Sequence, residues 1–260
     1  MKTIIANWKM NLGVRESVSL ARASLLLLRG RRVAPQVIIC PSYIALSEVR
    51  KVLARSSVML GAQNVSWEEQ GAFTGEISVR MLNEVGATHV LVGHSERRRL
   101  FHETDEMINQ KVLKILEHNL VPIICMGETQ EERDRGETRT RVADQLTRAC
   151  AHVRLKASDR LIVAYEPVWA IGSGSTPSAA EVVEIHTHIR EVLSQMFLSV
   201  SQDQIAVLYG GSVDGKDAYT FLREPMVDGV LVGGASIKLH QFTEIVEAAS
   251  QVLEALSSEL

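Results

Sequence analysis

Eight short apolar runs recur along the chain, separated by eight stretches of helical periodicity. The runs are Thr3–Ala6, Gln36–Cys40, Val58–Gly61, His89–Gly93, Val121–Cys125, Leu161–Tyr165, Ile205–Tyr209 and Gly229–Val232. The spacing predicts helices over Ser17–Leu28, Ile44–Leu53, Ser78–Val85, Asp105–Glu117, Thr138–His152, Ala179–Met196, Asp217–Leu222 and Phe242–Leu256. Thr104 and Asp105 make a helix start, and Pro41 and Pro122 are read as flanking strands. Strict alternation of this kind predicts an α/β fold with parallel strands and crossover helices. The strand-like runs are continuously apolar, as expected when both faces of a sheet are covered.

Two architectures satisfy that pattern. An open doubly wound sheet commonly carries a glycine-rich dinucleotide loop after its first strand. Here the first strand runs into Asn7-Trp8-Lys9-Met10-Asn11, and neither G-x-G-x-x-G nor a Walker A sequence occurs. Eight βα units in 260 residues match the size of a closed (β/α)8 barrel. The expectation is therefore a single barrel domain, residues 1–260, of eight parallel strands surrounded by helices.

In such a barrel the strands' C-terminal ends open on one mouth. Asn7 and Lys9 follow the first strand, Gln63 and Asn64 the third, and His94, Ser95 and Glu96 the fourth. Cys125 closes the fifth, with Gly127 and Glu128 after it, and Glu166 follows the sixth. Gly210-Gly211-Ser212 follows the seventh strand and Gly233-Gly234 the eighth. Each residue also has a plain reading. Lys9 can be a surface cation, His94 a cap or packed histidine, and Cys125 a small apolar strand residue. Arg97, Arg98 and Arg99 can lie on a solvated face, and Glu166 can cap a helix. Separate plain readings leave unexplained why all these groups fall at the same end of the strands.

Together they make a chemistry. Backbone N–H groups at Ser173, Ser212 and Gly233-Gly234 can cradle a phosphate, with a helix start after the last strand adding its dipole. Lys9 supplies positive charge. A neutral imidazole at His94 and the amide of Asn7 can donate to an oxygen that becomes negative, while Glu166 removes a proton from the adjacent carbon. Pro167 stiffens the start of the segment after Glu166, and Gly172-Ser173-Gly174 gives it a flexible tip, the makings of a lid that excludes water. No metal-ligand cluster is visible and the proton transfer needs no cofactor.

Composition narrows the partners. A formal net charge of −3 argues against bulk binding to nucleic acid or an anionic membrane. Cys40, Cys125 and Cys150 are odd in number and widely spaced, which is neither a disulfide framework nor a zinc pattern. The chain reaches Asn7-Trp8-Lys9 too early for a signal peptide, and Leu25–Leu28 is too short to span a bilayer, so a reducing cytoplasm is expected.

Seven segments resemble triosephosphate isomerase, in that family's order. They are Asn7–Asn11, Gly61–Asn64, Gly71–Glu76, Gly93–Arg98, Tyr165–Gly172, Tyr209–Val213 and Leu231–Ser236. The resemblance implies a TIM barrel that interconverts dihydroxyacetone phosphate and glyceraldehyde 3-phosphate, with Glu166 as base and neutral His94 as electrophile, assisted by Asn7 and Lys9. The resemblance places His94 at a helix N-terminus, which keeps its imidazole neutral. It implies phosphate contacts at Gly172, Ser173, Ser212, Gly233 and Gly234, and support from Glu96 and Cys125. It implies a homodimer whose Phe73-Thr74-Gly75 loop reaches the partner, with Thr74 against the partner's Lys9 and His94. Departures are Ala6 for a usual Gly, Ser173 for Thr, Asp217 for Asn, and Ser175-Thr176-Pro177 at the lid's far hinge. An isomerase of a four-carbon sugar phosphate would use the same groups, and a phosphate-ligand binder without activity is the non-catalytic alternative.

Overall fold

Parallel pairing runs continuously from the first strand to the eighth and back to the first in the computed structural model, which describes residues 1–172, 175–198 and 200–258. The strands are β1 (Thr3–Asn7), β2 (Gln36–Cys40), β3 (Met59–Ala62), β4 (His89–Val92), β5 (Val121–Met126), β6 (Leu161–Tyr165), β7 (Ile205–Tyr209) and β8 (Gly229–Val232). β1 closes the ring by pairing with both β2 and β8, so that Ile5 stands beside Ile38 on one side and Leu231 on the other.

Successive side chains of a strand point to opposite faces, and here both faces are buried. Ile5, Ile38, Leu91, Ile123, Ile162 and Leu208 fill the barrel interior. Their strand neighbours Ile4, Ile39, Val90, Val92, Ile124 and Val163 pack outward under the helices. That two-sided burial is why the strands read as unbroken apolar runs. Truncating a wholly buried interior residue such as Leu91 to alanine is expected to cost about 2–5 kcal/mol.

The helices are α1 (Val14–Leu28), α2 (Leu46–Leu53), α3 (Val79–Glu84), α4 (Ser95–Phe101), α5 (Asp105–Glu117), α6 (Gln130–Asp134), α7 (Thr138–Ala149), α8 (Ala179–Met196), α9 (Gly215–Leu222) and α10 (Leu239–Ser258). Their starts follow local chemistry. The Thr104 side chain accepts the N–H of Met107 to cap α5. Ser178 and Glu181 cap α8 reciprocally.

Three differences from the sequence reading have simple causes. Helices α4 and α6 bury none of their residues, so they carry no apolar period to read. Helix α1 begins three residues earlier than its apolar pattern because the Glu16 carboxylate accepts the Gly13 N–H at 2.8 Å. Pro122 lies inside β5, at its second position, instead of flanking it, one residue before pairing with β6 begins at Ile123.

Candidate active site

At the C-terminal mouth a pocket of about 310 Å³ gathers residues from strand ends far apart in the chain. Asn7, Lys9, His94, Glu166, Ser212 and Gly233 all line it. Their convergence follows from the barrel alone, since each lies at or just past a strand terminus.

The turn after β1 sets the lysine. Asn7 is buried, and its Oδ1 accepts the Lys9 N–H at 3.1 Å. The Gln63 amide donates to the carbonyls of Lys9 and Cys40 at 2.8 and 3.0 Å. These bonds hold Lys9 at φ 52°, the left-handed region, a conformation that costs a non-glycine residue roughly 1–3 kcal/mol and is tolerated where its surroundings over-determine it. Lys9 Nζ donates to Glu96 Oε1 at 2.6 Å. Partial burial pushes the Glu96 carboxyl up, but that hydrogen bond and the charge of Lys9 outweigh it and hold the group below the usual range.

His94 is the residue before α4. Its Nδ1 accepts the backbone N–H of Glu96 at 3.2 Å. An imidazole that accepts at Nδ1 carries its proton on Nε2, and Nε2 lies 3.2 Å from Glu166 Oε1. The other carboxylate oxygen of Glu166 accepts the Ser95 N–H at 3.2 Å. Glu166 is 1% exposed. Its backbone N–H donates to Met126 at 2.6 Å, an approach that leaves no room for a side chain at position 127: a Cβ on Gly127 would stand 1.8 Å from the Glu166 carbonyl oxygen. Cys125 lies beneath the carboxylate. Burial and then the neighbouring Glu166 charge push its thiol well above the ordinary range, so it is an inert floor rather than a nucleophile.

Beyond Glu166 the chain is anchored before it becomes a loop. Val168–Ala170 forms a single 3₁₀ turn. The Val168 N–H donates to the Glu128 carbonyl at 3.0 Å, and Trp169 Nε1 donates to the Glu128 carboxylate at 2.8 Å. Tyr165 OH donates to the same carboxylate at 3.1 Å. Burial raises the Glu128 carboxyl, with the hydrogen bonds from Trp169 and Tyr165 opposing it. Arg133 stacks its guanidinium 3.7 Å over the Trp169 ring and donates to Glu181 at 2.8 Å, tying the start of the loop to the helix at its far side. Gly172 sits at φ 69°; Ser173 and Gly174 lie outside the described residues. At the far hinge Pro177 is buried immediately before the Ser178 cap.

The opposite wall is backbone. Ser212, Gly233 and Gly234 line the pocket, and Gly234–Ile237 forms a short 3₁₀ turn rather than an α-helix. The first N–H groups of such a turn lack partners within it, and the turn's first residues, Gly234 and Ala235, line the pocket. Ser236 fixes the turn by donating through N–H and Oγ to the Gly233 carbonyl at 2.9 and 2.7 Å. A Cβ on Gly211 would collide with the Tyr209 hydroxyl at 2.1 Å; that hydroxyl is buried and has no hydrogen-bond partner.

Asn7, Lys9, His94, Glu166, Gly172, Ser212, Gly233 and Gly234 are thus in one cavity, with Glu96 and Cys125 against it. Phe73, Thr74 and Gly75 are elsewhere, on an exposed loop that lines no part of the pocket. Three groups named in the sequence reading received no functional role there. Ser95 contributes through a backbone N–H, which carries no residue-type signal. Glu128 was signalled by its place just after β5, yet its role as loop anchor depends on Trp169, 41 positions on. Arg98 is no solvated residue: it donates to the carbonyls of Gly93 and Cys125 at 2.7 and 3.2 Å and pairs with Asp105 at 2.5 Å, bracing two strand ends. Among the described residues, no group of three or more His, Cys, Asp or Glu is placed to hold a metal ion, and no helix is long and apolar enough to cross a membrane.

Fold and site define a class: barrel enzymes that run acid–base chemistry at the C-terminal mouth on a small anionic substrate. Comparison with known proteins is more particular. The family model described as triosephosphate isomerase matches residues 2–249. Triosephosphate isomerases of Chlorobium phaeobacteroides and Alkaliphilus oremlandii are 42% and 41% identical over 248 and 246 residues, covering 95% and 94% of this chain and 98% of each relative. The crystal structure of triosephosphate isomerase from Bartonella henselae superposes with a TM-score of 0.85 at 35% identity, covering 95% of this chain and 98% of that one. The chain belongs to the triosephosphate isomerase family.

Proposed function

We propose that the protein interconverts dihydroxyacetone phosphate and D-glyceraldehyde 3-phosphate through an enediolate. The observation that carries this reading is the buried Glu166 carboxylate within 3.2 Å of His94 Nε2, on the wall of a pocket whose other side is backbone of Ser212, Gly233 and Gly234. The phosphate rests on that backbone and under Gly172 and Ser173. The carbonyl oxygen takes the His94 Nε2 proton as a hydrogen bond, with the Asn7 amide and Lys9 beside it. Glu166 leaves Ser95 and His94 as substrate enters between them, takes a proton from one carbon and returns it to the neighbouring carbon, while the hydroxyl proton passes from one substrate oxygen to the other by way of the His94 ring. Charge that develops on the oxygen is met by donors already in place. The loop from Pro167 closes over the phosphate, excluding water from an intermediate that would otherwise lose it. Glu96 orients Lys9 and Cys125 underlies Glu166.

Residues 1–260 act as one domain in this reading. The working form is a homodimer joined through the Phe73-Thr74-Gly75 loop, where Phe73 is 46% exposed, with Thr74 reaching the partner subunit's Lys9 and His94. Three free buried cysteines suit a reducing cytoplasm, and the net charge of −3 gives no basis for nucleic-acid or membrane partners. A coupled assay on glyceraldehyde 3-phosphate tests the reading. Turnover there that exceeds turnover of a four-carbon sugar phosphate supports it, and a clear preference for the four-carbon substrate rejects it.

A further inference from the structure

Helix α1 is built inside out. Its fully buried positions are Ser17, Ala21 and Ser24, at spacings of four and three, so the stripe that faces the barrel is small. Its leucines lie elsewhere: Leu25, Leu27 and Leu28 are only partly buried, and Leu26 is 65% exposed. Leu25 and Leu28 pack inward against the core while their outer edges, with Leu26, line a groove. The groove lies between α1 and α2 and holds about 760 Å³, more than twice the volume of the candidate active site. Both helices run from the mouth towards the starts of β2 and β3, and one edge of the groove, Ser56 to Val58, leads into β3. The groove therefore opens at the end of the barrel opposite the pocket.

The groove's charge is one-sided. Arg22, Arg29 and Arg55 line it and make no ion pair among the described residues, and the fourth cation, Lys51, satisfies the one acid there, Glu48, at 2.5 Å. These cations are spread along the groove. Arg22 and Arg29 are seven positions apart, about 10 Å of helix rise, and Arg55 lies on the α2 side. A single-headed amphiphile needs one cationic end. A row of cations beside an apolar floor instead fits a ligand with several acids flanking apolar anchors, and the space between two neighbouring helices is where the ridge of a third packs.

We propose that the α1–α2 groove docks an acidic amphipathic helix of a partner protein, with its apolar anchors on Leu25, Leu26 and Leu28 and its carboxylates on Arg22, Arg29 and Arg55. The test uses a fluorescein-labelled synthetic helix with leucine at i, i+4 and i+7 and glutamate on the flanking positions, and a second peptide with lysine in place of each glutamate. Fluorescence anisotropy with the full-length protein is expected to show saturable binding of the glutamate peptide. The double variant Arg22→Glu/Arg55→Glu weakens it by at least about ten-fold and binds the lysine peptide instead, because close charge pairs set partner choice. Leu26→Ser, at an exposed site that does not risk the fold, weakens it several-fold, and isomerase kcat is unchanged in both variants. No saturable binding at about millimolar peptide, a concentration that detects even ~4 kcal/mol of binding, would overturn the proposal. So would equal binding of the two peptides to the unmodified protein, or displacement of the glutamate peptide by oleate at equal concentration, which would give the groove to a lipid.

Discussion

Acidification from pH 7 to pH 5 is expected to destabilise the protein through two buried histidines remote from the proposed chemistry. His186 is wholly buried in α8. Its Nδ1 meets the Met226 carbonyl at 3.1 Å, its Nε2 has no partner, and its ring stands edge-on to Tyr165. Burial lowers its pKa from 6.5 to about 4. His89, whose Nδ1 lies 2.8 Å from Thr88 Oγ1, is lowered by burial to about 4 as well. Between about 4 and 6.5 the unfolded chain binds these protons and the folded chain does not, so the unfolded state gains as pH falls. The stability that neutral rings provide is intact above pH 6.5, declines as pH drops below it, and is fully lost near pH 4. Two-and-a-half units at 1.36 kcal/mol each bound the total at about 3 kcal/mol per histidine, of which about 2 kcal/mol is lost by pH 5. Urea melts at one protein concentration, from pH 7 to pH 5, measure the effect. The midpoint should fall steadily, and the double variant His89→Gln/His186→Gln should lose most of that slope whatever its absolute stability. A midpoint that does not move, or ring resonances of both histidines titrating near 6.5, would refute the reasoning.

Other outcomes follow from single contacts. Gly211→Ala places a Cβ 2.1 Å from the Tyr209 hydroxyl, so the backbone of Ser212 must shift; KM for glyceraldehyde 3-phosphate is expected to rise by about ten-fold or more, a loss of roughly 1.4 kcal/mol of binding. Trp169→Phe removes the 2.8 Å bond to Glu128, and hydrogen bonds to charged groups contribute about 1.5–3 kcal/mol; thermal stability should fall and kcat with it, while competitive binding of inorganic phosphate changes little. All three cysteines are buried, and burial raises their thiols, Cys150 to about 12. A thiol-specific disulfide reagent should therefore label none of them in native protein and all of them in urea.

The barrel was legible because its strands are buried on both faces, a condition that leaves an unbroken apolar run such as Leu161–Tyr165 or Val37–Cys40. Helix α5, with a capping threonine and a full apolar period, could be bounded to the residue. Helices α4 and α6 could not, because neither buries a side chain. Of the pocket, the parts that announce themselves are side chains at strand ends, Lys9, His94 and Glu166 among them. What could not be read are groups whose role is a backbone atom or a distant partner: the Ser95 N–H on Glu166, the Gly127 gap that lets Glu166 approach Met126, and Glu128, which becomes an anchor only when Trp169 folds back onto it. Arg98 shows the same limit in reverse. Within Arg97-Arg98-Arg99 one cation turns inward to hold two carbonyls, and composition alone does not say which.

The base assignment is the centre of the account, and Glu166→Gln tests it most directly. The substitution keeps the shape and the contact with Ser95 while removing the ability to take a proton. A positioned general base contributes roughly 10²–10⁴-fold, so kcat on glyceraldehyde 3-phosphate should fall by about a thousand-fold with competitive inhibition by inorganic phosphate kept within a few-fold. Turnover within about ten-fold of the unmodified protein would contradict it, since a tenfold loss is only ~1.4 kcal/mol of barrier.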